Sequence, residues 1–277
     1  MNGTTTAQLA EKTAKAVTGS VEEWTGFLQS AARLYKYSYP EQLLIYAQRP
    51  DATACASYEI WNQTMRRYVR RGARGIALPD GAGAVRYVFD VADTGARKSS
   101  RKVKTWALDE NNREAVAHAL ETQYGSAAKL GIAGQLEEIA MQQSMDYWQW
   151  HQDELRGIVD GSFLEGYDEL NLEIAFRNTA AASVKYMLLS RCNLAREHQI
   201  EPEELAGVLE WNTSAASGAL GSAISELSEG VLRQIERTIR QYERSQNHDE
   251  RTDIYEERRV LDSRSDSSRT ADGAEQI

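Results

Sequence analysis

The chain has 277 residues, 42 % of them hydrophobic, enough to bury a sizeable core as one large domain or two of ordinary size. A run of about eighteen apolar residues, the length a membrane-spanning helix needs, does not occur, and Met1 to Lys15 alternates polar and apolar residues unlike a signal peptide. A cytoplasmic protein that does not enter membranes is expected. The formal net charge is −9, yet from Met65 to Lys104 eleven basic residues stand against Asp80, Asp90 and Asp93, a local charge of +8.

The first elements read as helices. Ser20 followed by Glu23 has the spacing of a capping box, and Trp24, Phe27, Leu28, Ala31, Ala32 and Leu34 then form an apolar stripe. Tyr35, Tyr37 and Tyr39, beside Arg33 and Lys36, read as anchors of a helix–loop corner. Pro40 suits the first turn of a further helix carrying Leu43, Leu44, Ile45 and Ala47 and closed by Pro50. A short helical stretch from Ser57 to Met65 follows, with Trp61 assigned, like Trp24, to the core.

The period then changes to alternation. Arg66, Tyr68 and Arg70 fall on one side of an expected strand, and Arg67, Val69 and Arg71 on the other, before a turn at Gly72 and Gly75. Gly75–Pro79 and Val85–Val91 predict two strands joined through Asp80–Gly83, and Lys104–Leu108 a short further one. The expected class is α+β: a small antiparallel sheet packed on N-terminal helices, then a mostly α-helical part.

From Asn111 to Arg244 helical patterns dominate, over Leu136–Leu155, Leu170–His198, Pro202–Trp211 and Ile224–Tyr242, with acidic residues in clear excess. Tyr147, Trp148 and Trp150 read as core. Three units are expected: 1–110, an α+β DNA-binding domain; 111–244, an acidic helical domain; and 245–277, a polar, disordered tail or linker.

The two cysteines, Cys55 and Cys192, are far apart and read as buried reduced thiols, and the four histidines lack metal-ligand spacing. No Gly-x-Ser-x-Gly, Gly-Lys-Ser/Thr or His-Glu-x-x-His motif is present, so a non-catalytic protein without cofactor is expected. Arginines and lysines interleaved with aromatic rings suit a polyanion with exposed bases: charge neutralises phosphate and rings stack on unpaired bases. The candidate contact residues are Arg66, Arg67, Tyr68, Arg70, Arg71, Arg74, Tyr87, Arg97, Lys98, Arg101, Lys102 and Lys104. The absence of a basic recognition helix favours single-stranded over duplex DNA.

Several segments carry a family resemblance: Tyr39–Thr53, Trp61 with Gly72–Ile76, Val88–Val91 with Thr94, Gly161–Leu170 and Ser183–Cys192. Together they resemble the N-terminal region of very large proteins of conjugative and other integrative mobile elements, where it precedes a Swi/Snf-type helicase and an adenine-N6 DNA methylase. Gln42 to Thr94 is also similar, more weakly, to the N-terminal single-stranded-DNA-binding domain of ArdC-type antirestriction proteins. The resemblance implies a DNA-binding module that works beside helicase or methylase modules of the same element, without catalytic motifs of its own. The alternative is that the acidic helical part is the working surface, docking a protein partner or mimicking DNA charge toward a restriction or modification enzyme.

Overall fold

The computed structural model describes residues 2–81, 83–195 and 200–271, with the side chains of the last helix described as far as Gln246. Three helices open the chain: α1 (Gly3–Val17), α2 (Val21–Arg33) and α3 (Tyr39–Gln48). Ser20 Oγ accepts the Glu23 N–H at 3.2 Å, one arm of the expected box, so the entry to α2 is fixed by a side chain. Glu41 performs the other arm at α3, accepting the Ser38 N–H at 3.2 Å. The consecutive Leu43, Leu44 and Ile45 make sense because α3 is buried on two sides. Leu43 and Tyr39 join the main core, while Leu44 and Ile45 join Leu34, Ala52, Ile76, Leu78 and Val88 in a small core under the sheet.

The sheet has three antiparallel strands in the order β1 (Cys55–Ser57), β4 (Val85–Asp90), β3 (Ile76–Pro79), with Ile76 opposite Val88 and Cys55 opposite Asp90. β1 is not legible in the sequence. It forms because the buried Asp90 carboxylate accepts the N–H groups of Thr53 at 2.7 Å and Ala54 at 2.9 Å, which lays the incoming chain along β4. Trp61, in a π-helical turn (Ile60–Thr64), is buried as expected and donates its indole N–H to Phe89 O at 2.8 Å.

Two strand expectations are corrected. The strand over Arg66–Arg71 shrinks to β2 (Tyr68–Val69), which pairs with β5 (Thr94–Gly95) in a ladder of its own. Arg66 has left-handed backbone geometry (φ 53°), which ends the alternation before it starts. Lys104–Leu108 is an extended strap without strand pairing. Trp106 is drawn inward there, donating its indole N–H to Tyr35 Oη at 3.0 Å, and Arg191 holds its carbonyl at 3.0 Å.

The remaining elements are helical: α4 (Arg113–Tyr124), α5 (Gly131–Gly157), α6 (Glu169–Arg191), α7 (Pro202–Leu205) and α8 (Ser214–Ala271). α6 stops well short of His198, because Asn193 takes a left-handed conformation (φ 59°) that turns the chain out of the helix. The main core runs across position 110, joining Trp24, Phe27 and Leu28 of α2 with Val116, Leu136, Phe176, Trp211 and Leu232. Trp24 donates to Ser183 Oγ at 3.0 Å inside it. Trp148 is buried as expected, but Trp150 is not a core residue: it is 82 % exposed. The tail expected over 245–277 falls, from residue 247 on, outside the described side chains. No helix among the described residues is long and apolar enough to cross a membrane.

Candidate nucleic-acid interface

The β2–β5 ladder sets Tyr68 opposite Gly95 and Val69 opposite Thr94. Hydrogen bonds extend the pairing on both sides, from Arg70 N to Asp93 O at 2.8 Å, Ser100 Oγ to Arg66 O at 2.6 Å, and Arg101 N to Met65 O at 2.9 Å. Arg66 and Arg67 are thereby laid beside the loop that carries Arg97, Lys98 and Arg101, while Arg70 and Arg71 lie at the other end of the ladder, beside Asp93 and Ala92. Arg74 follows in the turn toward β3, while Lys102 and Lys104 continue along the strap; all but Arg67 are exposed.

The acidic residues of the segment do not cancel this charge. Asp90 is buried and bonded to backbone N–H groups, and Asp93 is paired with Arg49 from outside the segment. Among the described residues, none of Arg66, Arg67, Arg70, Arg71, Arg74, Arg97, Lys98, Arg101, Lys102 and Lys104 has a carboxylate within ion-pair distance. Arg86 does, with Glu41 at 2.5 Å.

The candidates differ in what they are free to do. Arg67 is turned inward, with Nε donating to Thr94 Oγ1 at 2.7 Å, so it braces the ladder. Arg70 reaches Ala92 O at 3.3 Å through one terminal nitrogen and keeps other donors free. The Tyr68 ring lies over Gly95, where an added Cβ would sit 2.3 Å from the ring's Cζ, and the Arg97 guanidinium stands 5.6 Å from its centroid. Tyr68 is still 43 % exposed, so part of the ring faces solvent beside cationic groups.

Tyr87 belongs to the other sheet. It pairs with Ala77 across β3 and β4, and shares an outer face with Phe89 and Ala56 by register. Tyr87 is 45 % exposed, as a contact residue should be, and Tyr58 and Ile60, just past β1, are exposed apolar groups that the sequence did not single out. Of the three N-terminal tyrosines, Tyr35 and Tyr39 are buried and Tyr37 donates to Cys55 O at 2.8 Å, as anchors should. Cys192 is buried, and burial pushes its thiol up to about 12; Cys55 is half-buried, with the same dominant cause and Asp90 adding to it, also to about 12.

Comparison of this chain with family models, with curated proteins and with solved structures finds no match.

Proposed function

We propose that the protein is a non-catalytic DNA-binding module, acting in the cytoplasm on single strands, with the β2–β5 ladder and the Arg97–Lys104 loop as its contact surface. One observation carries this: ten basic side chains of one segment that, among the described residues, are left without carboxylate partners. A surface selected only for solubility intersperses both signs, whereas unpaired cations in a row leave a field that draws in a polyanion. The partly exposed Tyr68, bracketed by Arg97, supplies a ring for an unpaired base. The likeness to the N-terminal region of mobile-element helicase and methylase proteins fits a module that holds a displaced strand or presents DNA to such an enzyme.

Fluorescence anisotropy with labelled single- and double-stranded oligonucleotides across a salt series tests this. With roughly 4 to 6 phosphates neutralised, log K should fall against log salt with a slope of about −3 to −4 on a single strand. No binding in low salt, or a slope near zero, would end the proposal.

A protein-docking role for the acidic helical half is the second reading, and it rests on Trp150 and Phe163, which are 82 % and 69 % exposed, and on the exposed Leu170. A chain that binds no DNA but loses a protein partner on Trp150→Ala and Phe163→Ala would favour it.

A further inference from the structure

Two cavities meet beneath the strap that leads from the basic loop to α4. The larger, about 460 Å³, lies between the last turns of α2 and α6 and is lined by Arg33, Ser190, Arg191, Thr105 and Trp106 among others. The smaller, about 190 Å³, shares Arg33, Thr105, Trp106 and Arg191 with it, and adds Lys36, Lys104, Glu236 and Arg240.

The charge balance here is lopsided. The lining of the larger cavity contains two guanidinium groups, hydroxyls and amides, and no carboxylate among the described residues. Among the described residues of both cavities, five cationic side chains face one acid, Glu236, which is already engaged by Lys36 and Arg240. The carbonyl ends of α2 and α6 contribute about half a negative charge each at most, too little to reverse the sign.

Arg33 uses three donors on the carbonyls of Gln29, Pro50 and Ala52. Arg191 stacks on Trp106 at 3.4 Å from the ring centroid and donates to its carbonyl. Both guanidinium groups are thus held rigidly, with further N–H donors left over. Burial lowers the pKa of both, and the carboxylates that oppose this are not in contact with either: Asp51 and Asp90 for Arg33, Glu236 for Arg191. A rigid, partly desolvated pair of cations with no counter-charge among the described residues of the cavity is the chemistry of an anion site.

We propose that this cavity binds a phosphate monoester, the end group of a nucleotide or of a 5′-phosphorylated DNA strand, with Arg33 and Arg191 as its ligands. The volume falls within the range of roughly 300 to 1,000 Å³ typical of small-molecule sites, so there is room for more than inorganic phosphate. Lys104 lines the smaller cavity and also closes the row of unpaired cations from Arg97, so a strand lying on the loop would bring its end here. The strand source rests on the DNA-binding proposal; the free nucleotide does not.

Calorimetry with thymidine monophosphate and thymidine, and anisotropy with one oligonucleotide bearing a 5′-phosphate or a 5′-hydroxyl, distinguish the sources on the full chain. A phosphate dependence on the order of tenfold is expected, the worth of a charge-assisted hydrogen bond. Arg191→Gln should abolish it, at a cost in stability from the lost Trp106 stacking. Ser190→Glu tests the same site while keeping the Arg191 stack on Trp106: it places a carboxylate beside the two guanidinium groups and should abolish the phosphate dependence. If no oligonucleotide binds but the monophosphate does, the DNA surface fails and the cavity stands as a nucleotide site. If neither format distinguishes phosphate from hydroxyl, or the preference survives Ser190→Glu, the cavity proposal is overturned.

Discussion

Glu236 clamps α8 to the segment between α2 and α3, and Glu236→Ala should release that clamp at a measurable cost. The carboxylate is 7 % exposed and accepts from Tyr35 Oη, from Lys36 Nζ at 2.8 Å, and from Arg240. The side chains of Lys36 and Arg240 are 43 % and 50 % exposed, so each loses only the worth of a surface pair, about 0 to 1 kcal/mol. Tyr35 is buried, and its hydroxyl would be left without an acceptor at a cost of about 1 to 3 kcal/mol. The sum is roughly 1 to 5 kcal/mol, or a fall in Tm of about 2 to 9 °C for a chain of this size.

Glu236→Gln retains an acceptor for Tyr35 and should lose only the smaller, charge-dependent part. Burial pushes the Glu236 pKa up, but Lys36, Tyr35 and Arg240 together hold it below the usual value of 4.5. A carboxylate depressed in the folded state stabilises it above the unfolded pKa, and that contribution fades as pH falls through the folded value. The wild-type advantage over Glu236→Gln should therefore be constant from neutral to mildly acidic pH and shrink below the usual glutamate value. Urea unfolding at neutral and acidic pH reads both effects. A loss under about 0.5 kcal/mol for Glu236→Ala, within the range of an ordinary surface change, or an advantage that grows on acidification, would refute the clamp.

Three further outcomes are expected. Arg70→Ala should weaken single- and double-stranded DNA alike and flatten the salt slope by about 0.7 on a single strand, whereas Tyr68→Ala should cost roughly 1 to 3 kcal/mol on single strands and little on duplex; equal losses on both forms for Tyr68→Ala would reduce the ring to packing on Gly95. Asp90→Ala strands the N–H groups of Thr53, Ala54 and Ala92 and should destabilise by at least about 3 kcal/mol in urea unfolding, a value under about 1 kcal/mol speaking against its role in seating β1. Because burial holds both thiols near 12, neither Cys55 nor Cys192 should react with an aromatic disulfide reagent at mildly alkaline pH until the chain is unfolded; prompt titration of Cys192 in the native protein would show that α6 opens at its end.

The helices were largely legible from the residues because their signals are local. Ser20 and Glu23, Pro40, and the spacing of Trp24, Phe27, Leu28 and Ala31 act within one or two turns, and α2 and α3 begin where those signals stand. The hairpin from Ile76 to Asp90 was legible for the same reason, its turn residues lying between two apolar runs. What the sequence alone could not decide is what depends on partners far away in the chain. Cys55–Ser57 has no strand pattern and becomes β1 through Asp90; Arg66–Arg71 alternates like a strand, yet only Tyr68 and Val69 find a partner, in β5. Trp150 carries the same local pattern as Trp148 but lands on a side of α5 that no described residue covers.

The site divides in the same way. Composition alone marked the cluster of positive charge between Met65 and Lys104, because net charge needs no geometry. Which of those charges remain unpaired was a tertiary outcome. Arg86 meets Glu41 and Arg67 turns in to Thr94, while Arg49, from outside the cluster, removes Asp93 from it. Arg33 and Arg191 stand 158 positions apart, and only the packing of α2 against α6 under the Trp106 strap puts them on one cavity. An ion pair or a shared cavity is a statement about distance, and distance across a core is set by how helices pack, not by spacing along the chain.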